Sequence, residues 1–371
     1  MRTVLRGLGI LVLVAGLGAA WAAWWFFRGL DQPFRGYDRA EQFVEIPPGT
    51  GSVAIGRLLV QAGVVTDEIT FRLAVATGGQ AARLQAGEYR FAEALTPRAV
   101  VDRLARGDVY VRRLTIREGL TIAEMADVFE SRGFGPAAAF RRAASDPSLI
   151  ADLDPNARDL EGYLFPETYT LSRAATAETL VARMVDRFKA VVDPDFRRLA
   201  VASSLSVRQV VTLAALVEKE TAAAEERPLV AAVYRNRLRT GMPMQADPTL
   251  IYALTRAGRY DGNIRKADLQ FDSPYNTYRY PGLPPGPIAA PGRAAIEAVL
   301  HPADVPYLYF VSRNDGTHAF ADSLAAHARN VQHYQVEYFR HRRVDAAKAA
   351  ASAPPTSASP AAGRSSSARR R

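Results

Sequence analysis

The chain has 371 residues, 48% hydrophobic and 23% charged, with no cysteine. At about 100–200 residues per domain, that length suggests two or three domains with real cores and excludes a wholly disordered chain. The net charge of +9 is mostly local, because residues 341–371 hold seven Lys/Arg against one acid, Asp345. The body is too near neutral for a phosphate-binding footprint, so no nucleic-acid partner is expected.

Residues 1–6 carry Arg2 and Arg6, and residues 7–27 follow as 21 residues without a charge. A bilayer core takes about 20 apolar helical residues, so 7–27 is expected to be a transmembrane anchor. Positive charge before it keeps 1–6 in the cytoplasm and sends the rest across the inner membrane. Trp21, Trp24 and Trp25 sit at the distal end, where indole rings favour the headgroup layer. A cleaved signal peptide is the alternative, but its apolar region would run only about 7–15 residues. Residues 28–40, with Pro33 and Gly36, read as a linker.

An internal repeat at an offset of 70 follows. Ile46-Pro47-Pro48-Gly49 is answered by Ile116-Arg117-Glu118-Gly119, and Gly63 by Gly133. Ile55, Leu58 and Leu59 align with Met125, Val128 and Phe129. Each copy reads as a short strand, a glycine turn, an amphipathic helix and a glycine cap before a further strand. Gly87–Phe91 alternates as a strand, and Thr96-Pro97 caps a helix to about Arg106. The first module is set at 41–110, and 111–150 is a candidate second βα unit.

After Leu160 the pattern is helix-rich. Ser206-Val207-Arg208-Gln209 is a capping box opening a helix with Val210, Val211, Leu213, Leu216 and Val217. A second helix ends near Gly241. A third is capped by Asp247 with Pro248. Residues 271–291 hold six prolines with Tyr275, Tyr278 and Tyr280 in a loop, and 307–311 reads as a strand. Residues 341–371 are Ala, Ser, Pro and Arg, and are expected to be a disordered basic tail. The fold class is therefore α+β: a transmembrane helix, small βα modules, and a helix-rich domain with short strands over 111–340.

No phosphate loop, metal-spaced His/acid pair or G-x-S-x-G elbow occurs, so neither metal nor cofactor is expected. What remains is carboxylates among rings and amides: Glu161-Gly162-Tyr163-Leu164-Phe165-Pro166-Glu167, Glu218-Lys219-Glu220-Thr221, Gln245-Ala246-Asp247 and Tyr275-Asn276-Thr277-Tyr278. Such mixtures bind sugar polymers, with rings on pyranose faces and amides on hydroxyls. An acid ending an apolar helix is partly desolvated, which raises its proton affinity as a general acid at neutral pH requires. Glu218 continues the row Val211, Ala214, Ala215, and Glu220 the row Leu213, Leu216, Val217. Both rows are apolar, so periodicity leaves the two acids tied. A solvated helix-end pair with Lys219, Arg208 or Arg227 is the plainer reading of either.

The segments LEGYLFPETY, LAALVEKET, ERPLVAAVYRNRL, MPMQADPT, SPYNTY, GLPPGPIAAPG and YFVSRNDGTHAF together resemble the YceG-like endolytic murein transglycosylases, over about residues 40–340. The resemblance implies a LysM-like module over 41–110 and a catalytic domain over 111–340. It also implies that Glu218, first Glu of E-K-E-T, is the catalytic acid. The family usually has Asp where Glu167 stands. The implied reaction cleaves MurNAc–GlcNAc β-1,4 bonds within peptidoglycan strands without water, a lyase reaction that leaves 1,6-anhydroMurNAc ends and terminates strand growth. Gln245, Tyr275, Asn276, Tyr278, Glu161 and Glu167 are then the substrate-binding candidates, and Glu220 and Asp247 the alternative or supporting acids. Peptidoglycan strands, the inner membrane and peptidoglycan synthases are the implied partners. A non-catalytic peptidoglycan-binding scaffold and a two-carboxylate muramidase are the competing functions.

Overall fold

The computed structural model describes residues 13–18, 20, 21, 24, 27–221 and 223–344. Most of the expected anchor (7–27) and nearly all of the tail (341–371) lie outside the described residues. Among those described, no single helix is long and apolar enough to cross a membrane. The described residues are helix-rich with three two-stranded antiparallel sheets, and the chain divides into two compact units.

The first unit takes the chain up to Ile116, Met125–Ala143 and Glu167–Arg183. Strand β1 (Gln42–Ile46) pairs antiparallel with β2 (Gly87–Phe91), Val44 opposite Tyr89. Between them run α1 (Ser52–Gln61) and α2 (Glu68–Gly78), and α3 (Pro97–Arg106) follows. Val44, Ile46, Ile55, Leu59, Phe71 and Tyr89 close one core. Thr96 caps α3 through the Ala99 N–H with Pro97 in its first turn, as its sequence predicts. Strand β3 (Arg112–Thr115) pairs with β4 (Thr168–Leu171), Leu114 opposite Tyr169. Strand β4 has no local signal in the sequence, because it is four residues long and its partner lies more than fifty residues away.

The repeat is present in the backbone. Val64 N–H bonds to Leu59 O at 2.8 Å, and seventy residues on Phe134 N–H bonds to Phe129 O at 3.2 Å. Gly63 and Gly133 take φ of +70° and +69°, the left-handed cap that glycine accepts without strain. One expectation fails. Each cap leads into a second helix, α2 in the first copy and Ala137–Ala144 (α5) in the second, and not into a strand. In the first copy Asp67 caps α2 by accepting from Thr70 N–H, a start signal outside the repeated pattern. Helix Ile122–Ser131 (α4) is the second copy's counterpart of α1. Phe129 meets Phe134 and Phe140 with centroids 5.9 and 5.6 Å apart.

The second unit takes Arg117–Glu124, Ala144–Pro166 and the chain from Met184. It holds the end of α6 (Ala177–Val191), α7 (Pro194–Ala202), α8 (Val207–Glu220), α9 (Arg227–Thr240), α10 (Asp247–Arg256), α11 (Arg293–Leu300), the hairpin β5 (Tyr309–Ser312) and β6 (His318–Ala321), and α12 (Leu324–Val331). The reciprocal Ser206–Gln209 box starts α8. Every residue from Val210 to Val217 is buried, because α9, α10 and α11 pack around it. Strand β5 begins two residues later than the apolar run predicts.

Candidate active site

An enclosed α8 explains why periodicity could not separate the two acids, since both rows are core. The helix delivers Glu218 and Glu220 from its last turn, where the negative end of the helix dipole disfavours a carboxylate. Their surroundings differ. The Glu218 side chain is 8% exposed, with Oε1 3.9 Å from Arg227 Nη2. Its Oε2 accepts the Gly292 N–H at 2.9 Å. Burial pushes its proton affinity up, the Gly292 bond lowers it, the Glu118 charge raises it, and Arg227 and Lys219 lower it; the net direction is up. Glu218 therefore holds its proton more tightly than a free carboxyl does.

Glu220 faces a cleft of about 370 Å³ lined by Tyr234, Gln245, Asp247, Tyr278, Tyr309 and His327 among others. Tyr234 donates to Glu220 Oε1 at 2.6 Å. Burial raises the Glu220 pKa to about 7 against the pull of that bond. Three of the other candidates meet here. Tyr278 donates to Asp247 Oδ1 at 2.5 Å, and Gln245 takes a left-handed φ of +47°, a backbone state that costs of order 1 kcal/mol or more for a non-glycine. Thr277 secures that turn, its carbonyl accepting Gln245 N–H and its hydroxyl oxygen accepting Ala246 N–H. Asp247 is not the helix cap that its sequence suggests. Ala246 holds the cap position with no side-chain bond, and the Asp247 carboxylate is turned to Tyr278.

Glu161 and Tyr275 stand in another cluster. Glu161 is buried; it accepts Ile122 N–H at 3.1 Å and Tyr252 hydroxyl at 3.2 Å. Tyr252 and Tyr275 meet with centroids 4.9 Å apart, and Arg256 Nη1 donates to the Tyr252 hydroxyl. Burial pushes the Glu161 pKa up to about 8. A raised acid favours folding while protonated, so its contribution is complete below the unfolded value near 4.5 and is lost as pH rises through 8. Glu161→Gln should flatten the fall of the thermal midpoint between about pH 5 and 8; an unchanged slope would reject that assignment.

Asn276 is 0% exposed. Its amide donates to Leu269 O and Phe271 O, and its Oδ1 accepts Tyr278 N–H. It shapes the loop that presents Tyr278. Glu167 is exposed and belongs to the first unit, where its carbonyl accepts Ile116 N–H.

One neighbour of Glu218 escaped the sequence reading. Glu118 lies beside Gly292: a Cβ built there would stand 2.1 Å from Glu118 Oε1. A signal existed in the repeat, where Pro48 of the first copy is replaced by Glu118 in the second.

Residues 44–333 match the model of the YceG-like family. An endolytic murein transglycosylase of Bacillus subtilis (strain 168) is 30% identical over 328 residues, 84% of this chain and 90% of that protein. One from Streptococcus pneumoniae serotype 2 is 32% identical over 320 residues, 78% of this chain and 57% of the longer relative. A solved yceG-like protein from Listeria monocytogenes superposes with a TM-score of 0.53 at 30% identity, covering 78% of this chain and 98% of that one.

Proposed function

We propose, because the chain belongs to the YceG-like family, that it is an endolytic murein transglycosylase with Glu218 as its acid and base. The choice of Glu218 over Glu220 rests on the resemblance of the E-K-E-T segment to the family motif, and the fold supports it with a nearly enclosed carboxyl of raised proton affinity held by one backbone N–H. Protonated Glu218 donates to the glycosidic oxygen between MurNAc and GlcNAc as the C1–O bond breaks. The resulting carboxylate takes the proton of the MurNAc C6 hydroxyl as that oxygen bonds to C1. Carboxyl and proton return to their starting state, no water is consumed, and a 1,6-anhydro end results. A single carboxyl suffices because the nucleophile belongs to the substrate, whereas glycosidases in general use two.

The cleft of Glu220, Gln245, Asp247 and Tyr278 supplies donors, acceptors and ring faces for positioning a glycan. Residues 41–110 act in this reading as a LysM-like peptidoglycan binder and 111–340 as the catalytic domain. Mass analysis of digested strands tests the reaction. Anhydro ends weigh one water less than reducing ends, so reducing ends alone would identify a two-carboxylate muramidase.

The protein acts on the cell wall, and residues 7–27 anchor it in the inner membrane with the catalytic domain in the periplasm. Exposure of the apolar Leu13, Val14, Leu17, Trp21 and Trp24 supports that reading. The anchor sets the height at which strands are cut, where peptidoglycan synthases work. Residues 28–40 are not the free linker that their composition suggests, since Leu30 packs in the first core and Phe34 pairs with Leu95; a flexible insertion before Arg28 should therefore shift glycan strand lengths in the cell, and unchanged lengths would count against it.

A further inference from the structure

Glu118 and Glu218 approach one glycine from two sides. Gly292 N–H binds Glu218 Oε2 at 2.9 Å, and the space a Gly292 side chain would fill is occupied by the Glu118 carboxylate, with Oε1 2.1 Å and Oε2 2.8 Å from an ideal Cβ. Backbone bonds hold this arrangement. Gly119 N–H donates to Ala290 O at 2.8 Å, and Ala290 N–H to Leu120 O at 2.9 Å. Gly119 turns at φ +74°, and its carbonyl accepts Lys219 Nζ at 3.2 Å. The turn that carries Glu118 is thereby tied to both the 290–292 segment and the end of α8. Glu118 itself is exposed, and among the described residues no hydrogen bond or ion pair ties its carboxylate to the fold.

We propose that Glu118 is a positioning residue for the reaction: its charge, held against the glycine that binds Glu218, keeps the proton on Glu218 until the glycosidic oxygen takes it. The inference rests on Glu218 being the acid. Like charges at short range disfavour ionisation of each other. The same repulsion makes ionised Glu218 a stronger base when it recovers the proton of the C6 hydroxyl. Glu118 thus raises the fraction of enzyme that carries the proton and strengthens the base of the second half-reaction, in exchange for a weaker acid in the first. The other charges facing Glu218 are Lys219 on its own helix and Arg227 at the start of α9, both of which oppose Glu118. Arg293, next to Gly292, is 3.8 Å from Glu297 on its own helix.

The experiment is the pH profile of kcat/KM for purified full-length protein on uncrosslinked glycan strands, read as anhydro ends by mass. Glu118→Gln should move the alkaline limb, where Glu218 loses its proton, toward acid by roughly half to one pH unit. Glu118→Asp should restore part of that. Gly292→Ala should shift the limb in the same direction, since its methyl displaces the Glu118 carboxylate while a φ of −78° suits alanine. Carbon-13 titration of the Glu218 carboxyl should report the same displacement without turnover, and the difference should shrink in high salt. A Glu118→Gln profile superimposable on wild type, with an unmoved carboxyl titration, overturns the proposal even if the rate falls. Absence of anhydro ends from wild-type protein would instead strike the proposed reaction, leaving the titration to judge Glu118.

Discussion

Glu218→Gln should lose anhydro-end formation by about 10²–10⁴-fold, the usual share of a general acid–base group. Glutamine keeps the length and the acceptor that meets Gly292 N–H at 2.9 Å, so the loss should come without unfolding. Its thermal midpoint should equal or exceed the wild type at alkaline pH. The Glu218 proton affinity is raised in the fold, so ionising it opposes folding, and glutamine has nothing to ionise. Glu220→Gln is the comparison: it removes the other carboxyl of the same helix end, the one in the cleft. If Glu220→Gln abolished cleavage and Glu218→Gln spared it, the proton would belong to Glu220 and the assignment would fall. A Glu218→Gln protein that still binds sacculi and keeps its cellular effect would favour the scaffold function.

Gly162→Ala should be among the most destabilising single substitutions. Gly162 has φ +84°, and an added Cβ would stand 2.3 Å from Pro287 Cβ, 2.5 Å from its Cγ and 3.1 Å from Val211 Cγ1. The left-handed backbone costs an L-residue about 1–2 kcal/mol. Forcing a methyl into packed atoms costs about 1–3 kcal/mol more. A proline ring cannot swing aside as the end of a flexible side chain can. The thermal midpoint should fall by roughly 5–15 °C. Differential scanning calorimetry checks this, and a fall within about 1 °C would show that the 285–288 loop yields easily. The adjacent Glu161 adds to the loss of stability, since its bonds to Ile122 and Tyr252 depend on the same turn.

Much of the architecture was legible locally. The Ser206–Gln209 box, the Thr96-Pro97 start and the offset-70 glycines are short-range devices whose bonds close within a few residues. Asp247 misled because a cap needs an extended backbone at its own position, and the chain gives that position to Ala246. Asn276 stood in a plausible binding motif, yet its amide is consumed inside the loop.

By itself the sequence determined the helix ends, the duplicated βα pattern, the absence of cysteine chemistry and, through seven ordered motifs, the family. Only the tertiary structure decided what each carboxylate faces. Glu218 and Glu220 are equivalent along an α8 that is buried all round, and they part only where Gly292 meets one and Tyr234 the other. Glu118 reaches Gly292 because Gly119 and Leu120 bond to Ala290 across a long stretch of chain. Proton affinity depends on burial and on charges within a few ångströms, and those neighbours come from segments that no local pattern in the sequence connects.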